Sequence, residues 1–106
     1  MASGVVGKND LQAATNTTVY TCPADTFSVA TINLTNRNAT SVTVRIAVAA
    51  SDTPLDSEFI EYEATVLGNG VLERTGIVLA AGQKIVVRSS TINVNAVAMA
   101  IETSLV

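Results

Sequence analysis

Residues 41–51 read SVTVRIAVAAS, and the parity of these side chains decides the fold class. Val42, Val44, Ile46, Val48 and Ala50 share one parity, while Thr43, Arg45, Ala47 and Ala49 share the other. Successive side chains of an extended chain point to opposite faces, so the pattern predicts a half-buried strand. Working outward, TTVYTC (17–22), FSVATINLTN (27–36), EFIEYEATVL (58–67), VLERTGIVL (71–79), QKIVVRSS (83–90) and NVNAVAMAIET (93–103) repeat the spacing and are rich in β-branched residues. That gives seven strands, and eight if the N-terminal segment adds one. Turn-forming groups separate them: Pro23-Ala24-Asp25, Asn36-Arg37-Asn38, residues 52–57 with Pro54, Gly68-Asn69-Gly70, Ala81-Gly82 and Ser90-Thr91. Such spacing predicts an all-β fold, a single antiparallel β-sandwich of seven to eight strands, Ig-like or jelly-roll-like. Gly68-Asn69-Gly70 further predicts a hairpin between its flanking strands. No stretch places apolar residues at i, i+3, i+4 and i+7 behind a capping residue, so no helix is expected.

A chain of 106 residues suffices for one domain. Residues 1–13 are expected to be an N-terminal arm and 14–106 the sandwich; Val5, Val6 and Leu11 are poor choices for a frayed tail, so the arm is expected to reach a neighbour. Only 14% of residues are charged, against about 25% in an ordinary soluble domain. A small domain is mostly surface, so this deficit points to a surface partly hidden against other chains. Net charge is −3 with six scattered Lys and Arg, which argues against nucleic-acid binding. The longest apolar runs are strand-length, so no membrane span is expected, and residues 1–10 lack the order of a secretory signal, which points to the cytosol or to exit from the cell by a route needing no signal. The one cysteine, Cys22, has no partner for an internal disulfide and is expected in the core.

Five acids cluster in DTPLDSEFIEYE (52–63). The spacing matches no calcium loop of known pattern and lacks the glycine for its sharp turn. Glu61 and Glu63 share a parity opposite to Ile60, Tyr62 and Ala64, so both are expected on one strand face, with Arg74, Lys84 and Arg88 as cross-strand partners. Glu73 and Arg74 are adjacent and must point to opposite faces, so they cannot form one site. Nucleophilic catalysis needs a base beside a serine or cysteine, and the chain has no histidine. A carboxylate-based hydrolase is allowed by residue type, but two Phe, two Tyr and no Trp give few platforms for a substrate cleft. Neither an enzyme nor a cofactor or metal is expected. Three matches to the glycosylation sequon, at Asn16, Asn33 and Asn38, read as polar strand faces and turns.

The order IEYE, then NGVLERTGIVL, then a glycine, then VVRSS, then a final strand ending in Ile101-Glu102 resembles small β-sandwich virion proteins of tailed bacteriophages, of marine and cyanobacterial type. The resemblance runs from about residue 15 to 101 and includes TINLTNRNATSVTVRIAVA upstream. It implies a non-enzymatic structural role, foremost capsid decoration or cementing, with tail, neck, baseplate or fibre components as the alternative. A host-receptor or glycan-binding module is a further alternative, disfavoured by the few aromatics. The implied partners are copies of this chain, as a trimer or larger, and virion proteins such as a major capsid or tail protein. The implied location is the virion, assembled in the host cytoplasm. Residues expected at subunit contacts are Val5, Val6, Leu11, Glu61, Glu63, Arg74 and Arg88.

Overall fold

The structure is a computed structural model that describes residues 3–106. Eight strands follow one another: β1 (Ser3–Asp10), β2 (Thr17–Thr21), β3 (Thr26–Asn36), β4 (Val42–Ala49), β5 (Phe59–Val66), β6 (Val71–Leu79), β7 (Lys84–Ser89) and β8 (Val94–Ser104). The only helical element among the described residues is a 3₁₀ turn at Asp56–Glu58. The strands form two four-stranded sheets with antiparallel neighbours throughout: a front sheet ordered β1-β8-β3-β6 and a back sheet ordered β2-β7-β4-β5. One core receives side chains from both, as expected of a two-layer, sandwich-like arrangement.

Period-2 alternation builds that core. β3 buries Ala30, Ile32 and Leu34 and exposes Phe27 and Val29. β8, in the middle of the front sheet, presents only alanines inward at 96, 98 and 100, and the bulk opposite comes from Val44, Ile46, Ile85 and Val87 of the back sheet. The alanines of β8 thus leave room for these branched side chains, and Ile32, Leu34, Ile77 and Leu79 of β3 and β6 complete the core on the front side. In β4 Val42, Val44, Ile46 and Val48 of the expected set do pack on the core, whereas Ala50 lies beyond the strand and is exposed. Cys22 is buried, its thiol 3.4 Å from the Thr26 carbonyl and 3.7 Å from that of Leu79.

Three expectations change. The segment expected to be an arm is in its described part the edge strand β1, paired with β8 from Ser3 to Asp10; Met1 and Ala2 lie outside the described residues. Leu11 follows it into the core at 2% exposure, with its amide on the Val94 carbonyl at 2.9 Å. At Gly7, β1 lies so close to β2 that an added Cβ would sit 2.0 Å from the Val19 carbonyl oxygen. Second, β5 and β6 do not form a hairpin: they are edge strands of different sheets, and Gly68-Asn69-Gly70 carries the chain from back to front. The turn is tight, with Gly70 N–H on the Leu67 carbonyl at 2.9 Å and Asn69 at φ 59°. It is held by Asn36 at the end of β3, whose fully buried amide donates to the carbonyls of Thr40, Val66 and Leu67 at 2.9, 3.2 and 3.1 Å. A buried amide satisfied this way ties both loops to one point and overrides the local hairpin preference. Third, β5 is irregular opposite β4: three residues from Glu61 to Ala64 span what two do from Ile46 to Val44, and Glu63 sits at φ 51°. This bulge breaks the parity that would have put Glu61 and Glu63 on one face.

Candidate interaction surface

The two outer faces are treated differently by the chain itself. On the back sheet, residues 50–58 leave β4 and fold over the outside. Asp52 accepts a hydrogen bond from the Thr18 hydroxyl of β2 at 2.5 Å and lies 3.8 Å from the Lys84 ammonium of β7, so the loop crosses β7 to reach the sheet edge. Glu58 pins it by accepting from the amides of Ala50 at 3.0 Å and Leu55 at 2.7 Å. Beneath it Ala47, Ala49 and Val86, which lie outside the central core cluster, are fully or nearly fully buried. Beside the loop the Arg45 guanidinium donates to Glu63 through Nη2 at 2.5 Å and Nε at 3.2 Å, and rests 4.4 Å over the Tyr62 ring. Tyr62 meets Phe59 edge-on with centroids 5.1 Å apart. The Arg45 hydrogen bond, then the Thr43 hydroxyl, hold the Glu63 carboxyl below the usual carboxylate range, and Glu63 in turn raises Arg45. Arg88, directly across from Arg45, joins it in lining a small pocket of about 170 Å³.

Nothing in the described chain covers the front sheet. Strand register resolves its outer face into cross-strand rows. One row runs Val78, Val29, Ile101, Ser3, and the next Thr31, Met99, Val5. Val78, Ile101 and Val5 are 65%, 66% and 57% exposed, and Val29 43%. A shallow depression of about 290 Å³ lies here, between Gly4, Val29 and Met99. Phe27 flanks these rows on one side. On the other side the rows turn polar: Glu73, Asn33, Val97, Lys8, and then Val71, Thr35, Asn95, Asp10. Isolated exposed apolar residues need no explanation, but a contiguous patch built from four strands does.

The seven residues expected at subunit contacts divide between these surfaces and the interior. Val5 is in the exposed rows, Val6 packs against the core and Leu11 is inside it, so Leu11 serves this chain and not a neighbour. Glu61 and Arg74 meet at 2.5 Å, Arg74 also donating to the Ile60 carbonyl at 3.1 Å. Since β5 and β6 edge different sheets, this pair closes one open side of the two layers and is not a cross-strand pair within a sheet. Partly exposed, it contributes about 0–1 kcal/mol. Glu73 points outward while Arg74 turns to the other sheet, as their adjacency requires. Glu63 and Arg88 stand at opposite sides of Arg45 on the back sheet, and Arg45 is the partner that the charge pattern alone did not single out. The acids of 52–63 disperse to different donors instead of converging, and among the described residues no group of three or more potential metal ligands gathers.

One buried polar pair also escaped the sequence reading. Tyr20 of β2 donates to Glu102 Oε2 of β8 at 2.6 Å, linking the two sheets, with Ser28 directly opposite Glu102 in register. Glu102 is 7% exposed. Burial, and then the Glu102 carboxylate, push the Tyr20 phenol from its ordinary 10.0 up to about 12. The parity of β8 (Ala96, Ala98, Ala100, Glu102) was the available signal, since it places an acid on an otherwise alanine-lined inner face.

Comparison with known proteins brings no match to a family model, to a curated protein or to a solved structure. No helix among the described residues is long and apolar enough to cross a membrane.

Proposed function

We propose that this chain is a non-enzymatic structural protein of a bacteriophage virion, a capsid decoration or cement subunit that works by contact through the outer face of its front sheet. The single observation that carries the reading is the uncovered apolar rows around Val29 and Ile101, set against a back sheet whose Ala47, Ala49 and Val86 lie beneath the chain's own loop. A molecule that spends residues 50–58 on one face and leaves Val78, Val29, Ile101 and Val5 open on the other is built to be covered there by protein. Two further points support it. The strand orders β1-β8-β3-β6 and β2-β7-β4-β5 favour a jelly-roll reading of the two layers, an architecture used by viral capsid and lectin domains. The sequence resemblance over residues 15–101 points to virion proteins independently of that order. Fold alone does not fix function; the uncovered face supplies the site-level argument.

The test is addition of purified chain to phage heads and tails that lack it, followed by sedimentation and imaging of the particles. Saturable binding to heads, lost on Val29→Asp or Ile101→Asp, is the expected result. Chain that stays in the supernatant with both heads and tails overturns the proposal, and binding confined to tails moves it to the tail.

A further inference from the structure

The uncovered face carries its own complement. Glu73 and Lys8 lie in one cross-strand row, Glu73 on the β6 edge and Lys8 on the β1 edge, with Asn33 and Val97 between them. Both are exposed, and neither forms an ion pair among the described residues. The apolar row of Val78, Val29 and Ile101 runs parallel to this charged row. We propose that a second copy of this chain seats on this face through a two-fold axis parallel to the strands, passing between β8 and β3. The inference rests on the reading of this face as a contact surface and names a second copy as its occupant, so the particle takes up the dimer, and Val29→Asp or Ile101→Asp abolishes binding by separating the two copies.

The symmetry follows from the pattern. A two-fold axis in the interface plane and along the strands keeps each row at its own height while exchanging left and right. It therefore lays β6 of one copy over β1 of the other, and β3 over β8. Val29 then faces Ile101 of the second copy, and Ile101 faces its Val29. Glu73 meets Lys8, and Lys8 meets Glu73, so one row supplies two charge pairs. The alternative in-plane axis, across the strands, lays β6 over β6 and β1 over β1 and so leaves Glu73 and Lys8 unmatched; placed at mid-height of the face it also stacks the apolar rows on polar ones. An isologous contact has to be self-complementary, and only the first axis makes it so.

The dimensions allow it. With strands about 4.8 Å apart, β1 and β6 lie about 7 Å from the axis. Aligned sheets pack about 10 Å apart at about 30°, which displaces the edge charges by about 4 Å, within the reach of lysine and glutamate side chains. Four strands of eight residues project about 500 Å². Pleating and the exposed Leu105, beside Asp25 at the apolar end, bring the contact toward the roughly 800 Å² per partner of a standard interface. A small contact of this kind suits a reversible dimer with a dissociation constant around micromolar.

Sedimentation equilibrium of the full chain tests this with Lys8→Glu, Glu73→Lys and the double variant. Each single change places two like-charge pairs in the contact and is expected to raise the dissociation constant about tenfold; the double change, which exchanges the charges, is expected to return it to within about threefold of the parent. A second measurement fixes the axis: facing sheets lie about 10 Å apart, beyond the reach of a disulfide, so an equimolar mixture of Ser3→Cys and Val78→Cys chains, whose positions occupy opposite edges of one row, is expected to be joined by a short bismaleimide into a mixed dimer, with little of either self-linked form. The native Cys22 is buried and does not compete. A chain monomeric at millimolar concentration, a double variant as weak as the singles, or a trimer without the mixed cross-link each overturns the proposal. Binding to heads with unchanged charge-swap behaviour refutes this two-fold contact alone, whereas a dimer of this geometry that binds no particle refutes the virion role alone.

Discussion

Replacing Tyr20 by phenylalanine removes one hydroxyl and leaves the ring, so it isolates the buried bond between the two sheets. That hydroxyl donates to Glu102 Oε2 at 2.6 Å inside the protein. A hydrogen bond to an ionised acceptor contributes about 1.5–3 kcal/mol, and breaking it leaves a buried carboxylate short of a donor. Taking about 2 kcal/mol, and an unfolding entropy of about 2.1 cal/mol/K per residue, Tyr20→Phe is expected to lower the melting temperature by about 9 °C. The same bond has a pH signature. The phenol titrates at about 12 in the folded chain against 10.0 in the unfolded one. A raised folded-state value means that the associated stability is complete below pH 10 and is lost as pH rises toward and through 12. Two units correspond to about 2.7 kcal/mol, of which we expect 1–2 on an edge strand where solvent screens part of the effect. Urea titrations of both proteins from pH 8 to 12 measure it, with the difference between the curves cancelling the lysines common to both. The gap between parent and variant is expected to narrow above pH 10. A variant within about 0.5 kcal/mol of the parent at pH 8, or a gap constant to pH 12, would refute the claim that this bond joins the sheets.

Deleting residues 1–12 removes β1 together with the buried Leu11 and is expected to cost more than the roughly 2–5 kcal/mol of a core leucine, read as loss of a cooperative urea transition; a truncated chain of unchanged midpoint would restore the arm. Gly7→Ala places a methyl 2.0 Å from the Val19 carbonyl oxygen and is expected to destabilise by about 1–3 kcal/mol, whereas Gly76→Ala, with open space but φ 67°, is expected to cost about 1–2 kcal/mol; equal melting temperatures for parent and both variants would contradict the two causes. In an NMR titration the Glu63 carboxyl is expected to titrate below the usual carboxylate range, and to move back up in Arg45→Ala. No movement would remove Arg45 as the cause.

Much of the fold was legible because strand parity is a local property. The segment read as 71–79 is β6 at Val71–Leu79, that read as 27–36 starts one residue after β3, and that read as 93–103 is displaced by one residue from β8. Val42, Val44, Ile46 and Val48 of β4 were placed correctly for the same reason. Long-range pairing left no such local trace. Gly68-Asn69-Gly70 has hairpin chemistry, and only the buried Asn36 amide, thirty residues from Val66, turns it into a crossing between sheets. Glu61 and Glu63 were assigned one face because a bulge with a glutamate at positive φ has no glycine to announce it. Val5 and Val6 were both expected at a contact with a neighbour, yet adjacent positions in β1 meet different surroundings: Val6 the core of its own chain, Val5 nothing within the chain. The partner of Glu63 was missed because Arg45 sits in the strand used to define the fold, where its alternation and not its charge drew the reading.

The order of the front sheet has a consequence for how the chain is made. β8 is the strand nearest the C-terminus, yet it lies in the interior of its sheet with β1 on one side and β3 on the other. During synthesis β1 and β3 leave the ribosome long before the strand that joins them, and β6 can hold only the far edge of β3. Only β4 and β5 are neighbours in both sequence and sheet. Nearly every other pairing closes a long loop, which makes folding slow, on the scale of milliseconds to seconds, and leaves open strand edges until the end. The native two-layer structure therefore cannot close while the last strand is still in the exit tunnel, and folding waits until residues 94–104 are free.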